Sequence, residues 1–314
     1  MKNKDVSLKQ AVFALERADN ILILCHKNPD GDAWGSAFAL YAALIKIGKR
    51  ARVGGLSGLP PLYNYMGDFC RSHDGDFAEQ FVVSVDCSNY ERLIEMPAEP
   101  VDLAFDHHPT NTRFARMSLV EGDSAACCEL IYRVISKLNV EIDKYIANCL
   151  YTGLSTDTGC FRYKNTTPYT LRLAARLIDA GADAGELNVR LFDTKTRARI
   201  ELERGVMNSL RFFCGERVAV ATISKELYLS SGAMETDLDG MTALPRSVEG
   251  VEFGITLKEQ DGYYKGSVRT NDKSAADVAA HFGGGGHLRA AGFESRLPYD
   301  QIIAEAVAEC EKQL

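Results

Sequence analysis

Apolar residues along the chain follow two rhythms. The runs NILILC (20–25), FVVSVD (81–86) and VDLAFD (101–106) are short, mainly apolar and rich in branched side chains, and read as buried strands. KRARVGG suggests one more strand. A helix is expected from about Trp34 to Ile47, closing near Gly48. This alternation predicts an α/β fold built on a parallel sheet with helices on both faces. From Ser124 to about Asp193 the spacing becomes helical, through AACCELIYRVISKL, KYIANCLYTGLSTD and PYTLRLAARLIDAG. The charged stretch TKTRARIELERGVMNSLRFF (194–213) reads as a helical connector. Beyond it RVAVATIS, VEFGITLKE and YYKGSVRT read as strands, with helices near SAADVAAHF and YDQIIAEAVAECEKQL, which predicts a smaller α+β domain. The expected division is a first domain over 1–193, the connector over 194–213 and a second domain over 214–314.

Composition narrows the classes. A length of 314 residues suits two domains. No apolar run approaches the ~20 residues a membrane helix needs. The N-terminal MKNKDVSLKQAVFALERAD carries acids through its apolar stretch and reads as an amphipathic helix, not a signal peptide. The nine cysteines include no C-x-x-C pair and most lie in apolar segments. That excludes a zinc ribbon and leads us to expect reduced core thiols and a cytoplasmic location. A formal charge of −7 argues against a broad basic surface for long duplex nucleic acid. It leaves room for a small phosphate-bearing substrate, because metals in an acidic pocket turn it into an anion receptor.

Four acidic marks punctuate the ends of the first-domain elements. His26, Asp30 and Asp32 fall in HKNPDGD, after a strand and before a helix. N-P-D-G alone is a good turn, with Asp32 or Ser36 as the helix cap. Asp86 closes FVVSVD, Asp106-His107-His108-Pro109 closes VDLAFD, and Asp157 lies in GLSTDTGCF near a helix end. Each has an ordinary structural reading. Together they converge on the carboxyl edge of a parallel sheet, where sites form in open α/β folds. Oxygen-rich sites with imidazole suit manganese and related divalent ions, and a pair of such ions needs several carboxylates. His26, Asp30, Asp32, Asp86, His107 and Asp157 supply that mixture.

The series HKNPDGDAWGS, VDCS, DHHP and GLSTDTG resembles the four motifs of the DHH phosphoesterase superfamily in order and approximate spacing. GGGGHLRAAG (283–292) is similar to the glycine-rich signature of the type-1 DHH-associated domain. The resemblance spans nearly the whole chain and is greatest to the stand-alone nanoRNase/pAp-phosphatase subfamily. It implies one metal held by His26, Asp30 and Asp86, and a second held by Asp32, Asp86, His107 and Asp157, with Asp86 bridging. The two ions are expected to be Mn²⁺, with Mg²⁺ or Co²⁺ as alternatives. It further implies that Asp106 orients His107, and that His108 contacts a phosphate or polarises the reacting group.

In the second domain, four glycines read as a flexible turn or as a place where backbone N–H groups approach an anion closely. Gly284, Gly285, Gly286 and His287 are therefore candidate substrate contacts. Arg269 can offer a bidentate fork to a phosphate, or be an ordinary strand-end arginine. The family's second domain holds the part of the substrate away from the scissile bond, which puts the site in a cleft between domains. The implied substrates are short single-stranded oligoribonucleotides, linear dinucleotides such as pApA, and 3′-phosphoadenosine 5′-phosphate. No membrane or long duplex partner is expected, and a homodimer is left open. The rival readings are an exopolyphosphatase or pyrophosphatase, a RecJ-like exonuclease and a non-catalytic nucleotide-binding regulator. GGGGHLRAAG speaks against the pyrophosphatase branch, and RecJ enzymes are longer.

Overall fold

The computed structural model describes residues 4–71, 78–98, 100–238 and 240–314, so the first three residues of the N-terminal helix expected above lie outside the described residues. The chain divides into two compact units, Met1–Thr194 and Lys195–Leu314. Among the described residues no helix is long and apolar enough to cross a membrane.

The first unit runs β1 (Lys4–Asp5), α1 (Leu8–Arg17), β2 (Ile21–Leu24), α2 (Gly31–Lys46), β3 (Ala51–Val53), α3 (Asn64–Arg71), β4 (Phe81–Val85), β5 (Leu103–Asp106), β6 (Met117–Val120), α4 (Cys127–Lys137), α5 (Lys144–Asp157), α6 (Pro168–Asp179) and α7 (Ala184–Asn188). Its six strands lie in the order β1-β6-β5-β4-β2-β3, and every pairing is parallel. The largely apolar composition of these strands is explained by burial on both faces. Ile21, Ile23, Val83, Val85, Leu103 and Phe105 join the main core with the helices. Leu22, Leu24, Val82 and Ala104 point the other way, under Cys87, Leu93 and Ala115. The chain crosses from β2 to β3 on one side and then returns to β4 on the other. Strand order therefore reverses at β2, and the crevice that opens at such a point is where ligands bind in these sheets.

Two differences from the sequence reading bear on the site. The second helix starts at Gly31, ahead of Trp34, and its cap is neither Asp32 nor Ser36. Asp30 Oδ1 accepts from the N–H groups of Asp32 (3.0 Å) and Ala33 (3.1 Å), which satisfies the first turn. Strands β1 and β6 also carry no strong pattern of their own. They are too short to show a period and exist through pairing, Lys4 with Met117 and Met117 with Leu103.

The second unit runs α8 (Arg197–Asn208), β7 (Arg211–Phe213), β8 (Val218–Ile223), α9 (Lys225–Ser231), β9 (Phe253–Glu259), β10 (Tyr264–Thr270), α10 (Ala275–His281), β11 (Gly285–His287), β12 (Ala290–Ser295) and α11 (Tyr299–Glu311). Its sheet order is β11-β12-β10-β9-β8-β7, parallel only between β8 and β9. The stretch 194–213 holds a helix and a strand, and Leu202 and Val206 of α8 are buried against Ala221 and Ile223 of β8. Helices α10 and α11 cover one face of this sheet. The glycine run forms an edge strand, pairing Gly285 with Gly292 and His287 with Ala290.

Candidate active site

The carboxyl ends of β2, β4 and β5 and the end of α5 bring one set of side chains together. His26 follows β2, Asp86 follows β4 and His107 follows β5, while Asp32 comes from the first turn of α2 and Asp157 ends α5. Asp86 stands between two groups. Its Oδ2 lies 3.5 Å from His26 Nε2, and its Oδ1 lies 3.4 Å from His107 Nε2. On one side His26 Nε2 is 3.9 Å from Asp30 Oδ1. On the other, His107 Nε2 is 3.3 Å from Asp157 Oδ2 and 3.9 Å from Asp32 Oδ2. Asp86 adopts φ = +50°, a left-handed conformation that a side chain other than glycine rarely takes, with its N–H held by the Phe105 carbonyl at 2.9 Å. Such backbone strain collects where a side chain must be aimed.

Close helix packing places Asp32 and Asp157. A methyl group at Gly35 would lie 2.4 Å from the Cys149 carbonyl oxygen, and one at Gly153 would lie 2.2 Å from Cys128 Sγ and 2.7 Å from Asp32 Oδ1. Only glycine permits α2 and α5 to approach this closely. Asp32 is fully buried, and its oxygens accept from the N–H groups of Cys127 (2.6 Å) and Cys128 (2.9 Å) at the start of α4. The positive end of that helix favours the carboxylate.

The imidazoles are oriented through their Nδ1 atoms. His26 Nδ1 is 2.8 Å from the Lys27 carbonyl and His107 Nδ1 is 3.2 Å from the Ser124 carbonyl. A carbonyl can only accept, so Nδ1 carries a proton and Nε2 is the nitrogen turned toward the carboxylates, the one left to ligate a metal once its own proton is released. Asp106 is fully buried and points elsewhere. Its Oδ1 accepts from the backbone N–H of His107 (2.9 Å) and faces His108 Nδ1 (2.7 Å), and its Oδ2 accepts from Asn111 Nδ2 (2.6 Å). The ring it orients is thus that of His108, while the His107 ring is set by Ser124.

Without a counter-cation this cluster is electrostatically unbalanced. Burial and the neighbouring Asp86 push Asp32 up to about 7, and burial with Asp32, Asp30 and Asp86 pushes Asp157 up to about 9. Burial works against protonation of His26 and His107, yet Asp86 beside them raises His26 to about 9 and, with Asp32, His107 to about 10. Burial opposes the charge on Asp86 as well, but His107 and His26 hold its carboxyl well below the usual range. Asp86 Oδ1 is buried without a well-formed hydrogen bond, its nearest nitrogens being His107 Nε2 at 3.4 Å and His108 Nδ1 at 3.6 Å, which leaves it open to a closer cation. The donor sets His26·Asp30·Asp86 and Asp32·His107·Asp157 each have ligand atoms within 4.8 Å of one another. Imidazole and carboxylate donors of this kind fit a divalent metal.

The pocket they line encloses about 160 Å³ and includes two residues that the motif reading missed, Ser88 and Arg92. The segment after β4 folds back over the end of β2, with the Lys27 N–H on the Arg92 carbonyl (2.6 Å) and the Ile94 N–H on the Cys25 carbonyl (2.9 Å). Arg92 is the pocket's one permanent cation among the described residues. The signal for it was position alone, six residues past a strand-end aspartate. Asn165 was also unmarked; its Nδ2 donates to the carbonyls of Ala125 (3.0 Å) and Asp157 (3.1 Å), tying the end of α5 to the turn that holds His107.

Residues 20–154 match the family model described as the DHH family, N-terminal domain. The chain is 34% identical to the bifunctional oligoribonuclease and PAP phosphatase NrnA of Thermus thermophilus over 92% of this chain and 89% of that protein. It belongs to the DHH family. A protein of the same name from Bacillus subtilis is 22% identical over 94% of this chain and 96% of its own. Among solved structures, an exopolyphosphatase-related protein from Bacteroides fragilis superposes with a TM-score of 0.82 at 26% identity, covering 97% of this chain and 95% of that one. As a DHH phosphoesterase the chain is a hydrolase acting on phosphoester bonds, and its buried acidic and imidazole cluster is suited to divalent metal.

The remaining candidates of this DHH phosphoesterase lie in the second unit. Arg269 is half-buried on β10, with Nη1 donating to the Val268 carbonyl at 3.0 Å. Gly285, Gly286 and His287 are exposed or nearly so along β11, and Gly284 immediately precedes it.

Proposed function

We propose that this chain is a manganese-dependent phosphoesterase that hydrolyses short oligoribonucleotides, linear dinucleotides such as pApA, and 3′-phosphoadenosine 5′-phosphate to mononucleotides. The observation that carries the reading is the placement of Asp86, with one oxygen toward His26 and the other toward His107. A carboxylate so divided is suited to bridge two ions, one held by His26, Asp30 and Asp86 and the other by Asp32, Asp86, His107 and Asp157. Divalent metal bound there supplies Lewis acidity, lowering the pKa of a water and offsetting charge on the phosphoryl oxygens.

The chain's own groups do the rest. Arg92 and Ser88 line a pocket otherwise made of carboxylates and imidazoles, where they would meet a phosphoryl oxygen. His108 is held through Nδ1 by Asp106, which raises its pKa and leaves Nε2 to donate to the substrate. In the second unit, Arg269, the backbone of Gly284, Gly285 and Gly286, and His287 take the portion of the substrate away from the scissile bond. The names borne by the Thermus and Bacillus relatives support this substrate class.

The test is a substrate panel with Mn²⁺. AMP is expected from pApA and from pAp, and chelator is expected to stop it. Asp86→Ala should abolish turnover and lower bound metal more than loss of a peripheral ligand such as Asp30; near-normal turnover with full metal content in that variant sinks the bridging role. The description carried by the Bacteroides fragilis structure favours one second reading, hydrolysis of phosphoanhydrides. Faster release of phosphate from polyphosphate than of AMP from pApA would decide for it.

A further inference from the structure

One face of the second sheet carries a transverse row of residues. Register aligns Gly254 on β9 with Arg269 on β10, Arg269 with Ala290 on β12, and Ala290 with His287 on β11. Directly paired residues share a face of a sheet. Their strand neighbours Phe253, Ile255, Val268 and Ala291 fill the core beneath α10 and α11, so the row points to the opposite side.

Gly254 makes room for one more member. A methyl group there would lie 2.6 Å from Arg246 N and 2.9 Å from Arg246 Cβ. The absence of a side chain lets the 3₁₀ turn Pro245–Ser247 lie directly on the sheet, and so brings Arg246 beside Arg269. Arg246 Nη1 donates to Asn271 Oδ1 at 2.6 Å and Arg269 Nη1 to the Val268 carbonyl at 3.0 Å. Among the described residues, the bonds of both guanidinium groups thus go to neutral oxygens. Elsewhere in this unit Arg217, Lys225 and Lys258 each have a carboxylate partner. Burial and the charge of Arg246 both work against protonation of Arg269. Two cations held together without an acid form a receptor for an anion.

We propose that Arg246 and Arg269 form a two-guanidinium clamp for the terminal phosphate monoester of a nucleotide, with His287 at the far end of the same row. The nucleotide part of this assignment rests on the function proposed above. A terminal monoester fits better than an internal diester, because it brings nearly two negative charges and three free acceptor oxygens to two guanidinium forks. Arg246 is then a specificity residue that favours substrates ending in phosphate.

The test titrates the full-length, metal-loaded chain with AMP, adenosine and inorganic phosphate by calorimetry. AMP should bind at least about tenfold more tightly than adenosine, since a charge-assisted contact is worth roughly that factor or more. Arg246→Gln should remove most of this advantage while metal content and melting temperature stay unchanged. Arg246→Lys keeps the charge without the fork and should restore only part of it. An AMP-to-adenosine ratio unchanged from wild type in Arg246→Gln overturns the clamp; if that variant melts early, the same ratio in Arg246→Lys decides instead. Inorganic phosphate binding as tightly as AMP overturns the assignment to a nucleotide. Mn²⁺-dependent hydrolysis of bis-p-nitrophenyl phosphate reports the metal site alone, so its absence in the wild type counts against the proposed function and leaves the clamp to be judged by AMP binding.

Discussion

Asp106 sits in a fully buried position, and its acceptor oxygens serve His107 N–H, the His108 ring and Asn111. Asn111 Nδ2 also donates to the Cys87 carbonyl at 3.0 Å, so one amide joins the ends of β4 and β5. Asn111→Ala should cost about 1–3 kcal/mol by leaving a buried carboxylate oxygen without its donor. A denaturant melt reads the loss, and an unchanged midpoint would mean that water reaches Asp106. A second expectation concerns pH. In the metal-free chain Asp32 and Asp157 are raised to about 7 and about 9, above their unfolded values. Groups raised in the folded state stabilise it at low pH and lose that contribution as pH rises through the folded value. His26 and His107, raised to about 9 and about 10, act in the same direction. The melting temperature of chelator-treated protein should therefore fall from about pH 6 to about pH 9, and Mn²⁺ should flatten the fall by balancing the carboxylates. An apo protein whose stability rises over that interval would contradict this account.

At the scale of elements, the site depends on how closely α2 and α5 pack. Gly153→Ala pushes a methyl group against Cys128 Sγ and Asp32 Oδ1. Overpacking of this kind costs about 1–3 kcal/mol, and here it also displaces a carboxylate. The variant should melt earlier and bind Mn²⁺ more weakly in a titration. Gly185→Ala on α7 meets nothing within 4 Å, so it should be neutral or mildly stabilising and serves as the control. Equal metal affinity in Gly153→Ala and wild type would show that Asp32 has freedom to move. Strands contribute differently. The turn out of β4 aims Asp86 by a left-handed residue, and the return of 89–94 across the end of β2 supplies Arg92. Neither feature has a periodic signature.

For the whole molecule, the formal charge of −7 bears on the length of nucleic acid it can hold. Without a long basic track, affinity should not grow with each added phosphate. Turnover of single-stranded RNA should thus decline beyond about five nucleotides, and duplex DNA should be left intact; processive digestion of long single strands on a gel would point to a RecJ-like activity instead. The sequence by itself determined the parallel first sheet, because the apolar residues of NILILC, FVVSVD and VDLAFD run consecutively instead of alternating with polar ones, as strands buried on both faces do. It also placed His26, Asp86 and His107 at the sheet edge, since residues that close a parallel strand have their position fixed by the strand, whereas Asp32 and Asp157 arrive on helices α2 and α5. Tertiary structure alone decided the rest. That Asp32 serves the N–H groups of Cys127 and Cys128 and leaves the cap of α2 to Asp30, that Ser124 sets the His107 ring, that Asn111 ties Asp106 to the Cys87 carbonyl and that Arg92 reaches the pocket all depend on contacts between separate segments. The same holds for Arg246, which reaches Arg269 only because Gly254, paired with Arg269, has no side chain to keep the turn away. Local periodicity carries information about burial and strand ends, whereas hydrogen bonds and close approaches between distant segments exist only once the chain has folded.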